Sequence, residues 1–398
     1  MWKSRKLHEL CDIQSGLWKG KKEPFTKALV LRNTNFTAAG KFDYSNVVEL
    51  DVETKQLSKR QVIKDDIILE KSGGGDKTPV GRVCIHDAEA DVPFSLSNFT
   101  ARIRVLDKQE LDAQFLHRFL HFLYISGKTE PMQRHSTGIR NLQLAQYKEI
   151  DVPLPPLAEQ QRIVAKLDAA FSQIDKAIGF TKERLISTQQ LFLNSLDSLV
   201  NADELGEISL LGDVCELAQG LAINKGTKHL LVDASSKPLI RIKDLVNETE
   251  EQYITNDYNN PKTEVREADL IFTRTGSLGL VFRGRRGVLH NNSFKVTPIA
   301  ALSRDYLYWW LKNPSFLGAI HRIAGKAAQP DISHKLFKAQ EIKIPTTDKQ
   351  KEVVSSIESL FEQTEQLGRI NRNKLSQLYQ LKAAVLAQEL QPPQSKAA

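Results

Sequence analysis

At 398 residues, with 41% hydrophobic and 26% charged residues, the chain has the composition of a soluble globular protein with two or three domains, which excludes disordered and fibrous classes. Cys11, Cys84 and Cys215 are too far apart for a disulfide framework or a zinc spacing, no run approaches 18 apolar residues, and the first residues open no signal peptide; a reducing cytoplasm and no membrane association are expected. The net charge is +7, and the positive excess falls in residues 1–156 and 201–349, while 157–200 and 350–391 are neutral, so any attraction for phosphate resides in two large segments.

Short β-branched runs at 66–69, 80–85 and 100–105, with one helical stretch near 112–124, predict an α+β domain over residues 1–156. The stop Val152-Pro153-Leu154-Pro155-Pro156 closes it and opens a helix over 157–203. Positions 164, 167, 171, 174, 178, 181, 185, 188, 192, 195 and 199 alternate by three and four and form a coiled-coil seam with polar interruptions. About 44 residues at 1.5 Å each span roughly 65 Å. A second α+β domain follows over 204–347, then a second helix over 348–391. This helix begins in the same register with Val354, Ile357 and Phe361, meets Gly368 and Asn371, and resumes at Leu378, Leu381 and Val385. Residues 392–398 read as a disordered tail. A neutral amphipathic rod must bury its stripe, and the obvious partner of each rod is the other; antiparallel pairing would carry the two domains at opposite ends. The predicted fold class is α+β, with two tandem-repeat domains separated by two long helices that pair as an antiparallel coiled coil.

An internal duplication underlies this organisation. Leu7-His8-Glu9-Leu10-Cys11-Asp12-Ile13-Gln14-Ser15-Gly16 matches Leu211-Gly212-Asp213-Val214-Cys215-Glu216-Leu217-Ala218-Gln219-Gly220 at an offset of 204. Asp66-Ile67-Ile68-Leu69 and Lys71-Ser72-Gly73 match Asp269-Leu270-Ile271-Phe272 and Arg274-Thr275-Gly276 at 203. Ser97-Asn98-Phe99 is set against Asn292-Ser293-Phe294, and from Gln160/Gln350 through Phe171/Phe361 to Leu196/Leu386 the offset is 190.

Two diverged globular units, each closed by an Ile-x-[Val/Ile]-Pro stop and followed by a helix with Glu-Gln near its start, resemble the specificity subunit of type I restriction–modification systems. The residues that carry the resemblance are 150–156 with Glu159-Gln160-Gln161-Arg162-Ile163, and 342–345 with Lys349-Gln350-Lys351-Glu352-Val353. The second copy departs from the pattern with Thr346-Thr347 in place of further prolines and Lys349 where Glu is expected. The resemblance implies two target recognition domains, each reading one half of a split double-stranded DNA sequence, with the helices as ruler and platform for two DNA adenine methyltransferase subunits. Restriction/translocase subunits would join that core. S-adenosylmethionine, ATP and Mg would then belong to the partners, leaving this chain with no catalytic residue, cofactor or metal.

Motifs that resemble chemistry are incomplete. Asn313-Pro314-Ser315-Phe316 lacks the second proline and the glycine-rich loop of an adenine methyltransferase, and is expected to end a helix over 306–312. Pro330-Asp331 with Glu341-Ile342-Lys343 has nuclease spacing, but the first copy has Asn141 and Glu149-Ile150-Asp151 there. In Ser72-Gly73-Gly74-Gly75-Asp76-Lys77-Thr78 an Asp stands where a phosphate loop needs Gly before Lys, and a strand follows instead of a helix. His117 and His121 lie four apart on a helix without a third ligand. Trp309-Trp310, beside Leu307 and Leu311, read as core and not as base-stacking groups.

Sequence discrimination needs Arg, Lys, Asn, Gln, Ser or Thr presented to base edges, with further cations on phosphates. Three loops per copy recur at matching places with such residues. The first carries Arg32-Asn33 and Arg241; the second Lys71, Ser72, Thr78 and Arg82, and Arg274 and Thr275; the third Arg140 and Asn141, and Lys326 and Gln329. The competing class is a duplicated non-DNA scaffold whose rods oligomerise, which a weak salt dependence of DNA binding would reveal.

Overall fold

The computed structural model describes residues 2–18, 20, 22–37, 39–75, 78–136, 138–299, 301–325 and 331–391, with the side chains of His135 and Ser136 left aside. The tail expected at 392–398 lies outside these residues. The chain divides into two units, residues 1–180 with 374–398, and residues 181–373. Each unit therefore contains one globular domain, part of the helix that follows it and part of the other helix.

In the first unit an antiparallel sheet runs Cys11–Ser15, Thr100–Val105, Ile67–Glu70, Val83–Ile85. Its strand Ile67–Glu70 is buried along its whole length because both faces are covered. Successive side chains of a strand point to opposite faces: Ile67 and Leu69 join the core with helix Ala113–Ile125, while Ile68 joins Leu31, Phe94 and Leu96 beneath a second sheet. That second sheet, Val48–Glu53, Phe25–Leu31, Phe94–Leu96, includes one parallel pairing. Asp112 caps the helix by accepting from the Phe115 N–H at 2.9 Å. Strand Lys3–Lys6 pairs antiparallel with Asp151–Leu154, so the start of the domain is fastened to its proline stop.

The second unit repeats the plan. Its sheet is Cys215–Gln219, Ser293–Pro298, Leu270–Thr273, Val281–Phe282. Leu270 and Phe272 face one core, Ile271 the other, and Glu207–Leu210 pairs with Glu341–Ile344. The expected helix is observed as Arg304–Trp310. Asn313 does more than end it: its Oδ1 accepts from Phe316 N–H at 2.8 Å and starts a further helix, Pro314–Ala324, that the sequence pattern did not predict. Trp309 and Trp310 are core residues, as expected.

Both long helices are present, Leu157–Asn201 and Thr347–Leu390. Within the first unit they run antiparallel. As one helix advances from Lys166 to Asp175 the other retreats from Glu389 to Lys382, through Lys166 Nζ–Glu389 Oε1 at 2.7 Å and Lys382 Nζ–Asp175 Oδ1 at 2.7 Å. Within the second unit Phe192 meets Phe361 with ring centroids 5.4 Å apart, and both edge onto Trp309. Near the helix ends the buried positions are Ile163, Leu196 and Val200, one residue away from the 164, 195, 199 seam expected from sequence. A 3.6-residue helix drifts against a 3.5-residue repeat, and here each helix turns its stripe onto a domain. Leu381, expected in the seam, is exposed; Lys382 takes that place, its ammonium 4.7 Å from the Phe171 ring centroid.

One buried side chain fastens each helix to its domain. Gln160 Oε1 accepts from Asp112 N–H at 2.8 Å while its Nε2 donates to the carbonyls of Glu110 and Pro155, both at 2.9 Å. Gln350 repeats this on Ser303 N–H at 2.7 Å, Ala301 O at 2.8 Å and Pro345 O at 2.9 Å.

Gln160→Leu leaves one N–H and two carbonyls buried and unpaired, which costs about 3 kcal/mol in all; a thermal melt should show a fall in Tm of several degrees, whereas Glu159→Gln, which loses only a pairing with the exposed Arg162, should leave Tm nearly unchanged. His117 and His121 supply a pH dependence. Burial, then the charge of Arg118, lowers their pKa values to about 3 and about 4, so both imidazoles are neutral when folded. The unfolded chain takes up these protons near 6.5, so stability is full above that pH and falls as pH drops toward 4, each histidine contributing up to ~1.4 kcal/mol per pH unit. Melts from pH 7.5 to 5 should show the slope, and His117→Gln with His121→Gln should reduce it to the part that His86, His290 and His334, also lowered by burial, contribute.

Candidate nucleic-acid interface

The three loops singled out in the first domain converge. The chain leaves strand Ile67–Glu70 at Lys71, where the N–H groups of Lys71 and Ser72 both donate to the Phe99 carbonyl, at 3.0 and 3.2 Å. Ser72–Gly74 then pairs with Ile139–Leu142, itself paired with Gln133–Ser136, so the second and third loops are one three-stranded sheet. Ser72 Oγ donates to Asn141 Oδ1 at 2.5 Å across that sheet, and Arg140 sits opposite Gly74. The first loop joins through Asn33: Gly73 has φ +106°, and a Cβ there would lie 2.7 Å from Asn33 Nδ2. Glycine at 73 is thus favoured by its backbone conformation, and the Asn33 side chain occupies the space beside it.

The cations in this cluster differ in what they can do. Lys71 has no ion-pair partner among the described residues, and burial holds its pKa below the usual lysine value. Arg32 donates its N–H to Asn35 Oδ1 at 3.0 Å and its guanidinium reaches Asn46 O at 3.4 Å. Arg82 is committed inside the fold. It forms a two-pronged ion pair with buried Glu70 at 2.8 and 2.7 Å and donates to the Asn33 carbonyl at 3.2 Å. The hydrogen bonds to Glu70 raise its pKa above the arginine norm, and it braces the first loop from below. Thr78 Oγ1 accepts from Gly75 N–H at 2.8 Å and closes the glycine turn.

The second domain builds the same frame with other side chains. Arg241 heads the short helix Ile242–Asn247 as Arg32 heads its turn, with its guanidinium on Asp244 at 2.6 and 2.9 Å and on Glu251 at 3.1 Å. Arg274 N–H donates to Asn292 O at 2.9 Å, as Lys71 does to Phe99 O. Thr275 bridges Asp331 as Ser72 pairs with Asn141, and Arg274 holds Asp331 by two hydrogen bonds at 3.0 and 2.5 Å. Lys326 and Gln329 lie outside the described residues.

Strand register also corrects the alignment of the copies. Ser15 pairs with Ala101 and Gln219 with Phe294, so Phe99 corresponds to Asn292, two residues from the match expected by sequence. The shared phenylalanine, Phe99 against Phe294, suggests the wrong register, which only the ladder fixes. Two exposed aromatic residues of this domain, Phe99 at the cluster and Trp18 after the Leu17–Ser97 bridge, lie outside the Arg, Lys, Asn, Gln, Ser and Thr set used to pick base-reading residues and were missed for that reason.

The motifs weighed for chemistry have structural partners. Asp331 is held by Arg274, and Lys343 Nζ donates to the Asn201 and Ala202 carbonyls at 3.1 and 3.0 Å. Among the described residues no group of three His, Cys, Asp or Glu could hold a metal ion, and no helix is long and apolar enough to cross a membrane.

The profile of the family described as "Type I restriction modification DNA specificity domain" matches residues 1–185 and 205–376, once per copy. The chain is 26% identical over 390 residues to the type I restriction enzyme EcoKI specificity subunit of Escherichia coli K12, covering 90% of this chain and 81% of that protein. It is 24% identical over 379 residues to the StySPI specificity subunit of Salmonella potsdam, covering 87% and 78%. Among solved structures it is similar to a chain from a study of complex assembly and conformational transition of the type I R-M system, with TM-score 0.79, 18% identity and coverage of 99% and 98%. The HsdS subunit from Thermoanaerobacter tengcongensis superposes with TM-score 0.57 at 18% identity, covering 98% and 96%.

Arg82→Ala strands the Glu70 carboxylate in the interior and should cost about 3 kcal/mol or more, seen as a lower Tm in the absence of any ligand. Lys71→Ala should melt with the wild type and weaken duplex binding instead, measured by fluorescence anisotropy.

Proposed function

The chain belongs to the type I restriction–modification DNA specificity family, and from that premise we propose that each globular domain reads one half of a split DNA sequence. Recognition of DNA sequence is the role of the subunit. The observation that carries the division into halves is the frame built twice: the same backbone hydrogen bonds at Lys71/Phe99 and Arg274/Asn292, and the same pairing at Ser72/Asn141 and Thr275/Asp331. The groups presented differ, and sequence is read by such side-chain groups on base edges while cations position the backbone. In this reading Ser72, Asn141, Arg140, Thr275 and Gln329 meet bases. Arg32, Lys71 and Lys326 meet bases or phosphates, and Thr78, Arg82, Arg241 and Arg274 hold the loops in shape.

The helices supply the rest. Phe180 and Ile370 are exposed at repeat-equivalent positions, as are Leu191 and Leu381. Two equivalent sets of exposed apolar side chains suit two copies of one partner, and we assign them to two methyltransferase subunits. The paired helices fix the spacer between the half-sites. Methyl transfer from S-adenosylmethionine, and ATP- and Mg-dependent translocation and cleavage, belong to those partners and to restriction subunits. The incomplete motifs at 313–316 and 331–343 support a chain without catalysis of its own, working in the cytoplasm where the DNA is. A duplicated non-DNA scaffold draws no support from the family.

Exchange of residues 1–156 for the corresponding domain of a relative tests the division of labour. Methylome sequencing should find a new first half joined to the old second half, with the spacer kept. Alteration of both halves together, or of neither, refutes separate recognition modules.

A further inference from the structure

We propose that two exposed aromatic side chains on one edge of the first domain, Trp18 and Phe99, make apolar contact with bases of the half-site that this domain reads. The inference rests on the DNA-reading role above and adds to it a copy-specific aromatic contact. Trp18 is 72% exposed and Phe99 43% exposed, and neither ring stacks on another ring among the described residues. Leaving two large rings in water forfeits the burial that would otherwise stabilise the fold.

Neither ring sits on a loose segment. Gly16 approaches Ser97 so closely that a Cβ would lie 1.8 Å from its carbonyl oxygen, buried Leu17 donates its N–H to Leu96 O at 2.9 Å, and Trp18 follows directly. Phe99 is pinned by the two N–H groups of Lys71 and Ser72 on its carbonyl, and its ring edge borders Gly73. The backbone at Trp18 thus follows directly from the Leu17–Ser97 bridge, and two residues beyond Ser97 the Phe99 ring lies at the edge where Asn33, Lys71 and Ser72 gather. The sequence after Trp18 continues through Lys19, Lys21 and Lys22, a charge pattern suited to phosphate and poorly suited to an apolar protein face.

The second copy separates scaffold from reader. Gly220 makes the same close approach to the His290 carbonyl and Leu221 donates to Leu289 O at 2.6 Å, yet Ala222 and Asn292 stand where Trp18 and Phe99 stand. The frame does not need aromatic residues. A face for a partner that binds both copies would carry them twice; a group that reads one half-site need occur once. Rings of this kind contact a thymine methyl or the face of a base at an opened step.

The experiment uses the full chain assembled with its methyltransferase subunits, and a duplex carrying the methylated site, together with duplexes altered one base pair at a time in each half. Trp18→Ala should weaken binding roughly 10- to 100-fold and lower discrimination within the first half only. Trp18→Phe should retain most of both, and Phe99→Ala should act in the same half. Iodide should quench Trp18 in the free protein, and cognate duplex should shield it. Unchanged affinity and discrimination in Trp18→Ala, an equal loss on every duplex, or a loss of subunit assembly in place of DNA contact would each overturn the proposal. A wild-type complex that binds no duplex would refute the DNA-reading role itself, and this inference with it.

Discussion

A buried primary carboxamide governs how each domain meets its helix. Asp112 and Ser303 cap the main helices of their domains, and a cap residue's own N–H is normally taken by a Glu or Gln three positions on. Those positions hold Phe115 and Tyr306, so the place is vacant within each domain helix. Gln160 and Gln350 fill it from the long helices and spend their own N–H groups on the carbonyl two residues before the cap and on the proline stop. Three bonds from one rigid amide, all out of water, fix the domain's orientation on its helix as well as its attachment.

From that joint the positions of the loops follow. The proline stop is the end of the strand that pairs with the domain's first strand, and the first strand leads into the central sheet. The central strand, buried on both faces, alternates its side chains between two cores and delivers Lys71 or Arg274 to the same backbone acceptor in each copy. Buried bonds and packing hold what the copies share, and the side chains beyond the last ladder bond are where they differ. A protein that must change its target without changing its fold is served by this separation, because substitutions at the exposed loop positions touch neither core.

Electrostatics sorts the arginines in the same way. Arg82, Arg241 and Arg274 each meet a carboxylate by two hydrogen bonds, and the carboxylates of Glu70 and Asp244 are buried. Such guanidinium groups stiffen the loops. Lys71, half-buried without a carboxylate among the described residues, keeps its charge available at a cost in hydration that a phosphate or a base acceptor would offset.

The sequence alone determined the duplication, the proline stops, the two helices and the α+β character of the domains, because these rest on spacing and periodicity that survive divergence. It also placed Gln160 and Gln350 in a motif, without their reason. Only the tertiary structure decided that the second and third loops of the first domain form one sheet, that Arg82 faces inward, that Phe99 corresponds to Asn292, and that Lys382 replaces Leu381 in the helix seam. Each of these depends on a partner far away in the chain, such as Asn141 for Ser72, Glu70 for Arg82 or Asp175 for Lys382. Local propensity holds no record of which distant group a polar side chain will meet, and the strand ladder, with its two-residue period, is what turns near matches in sequence into one register.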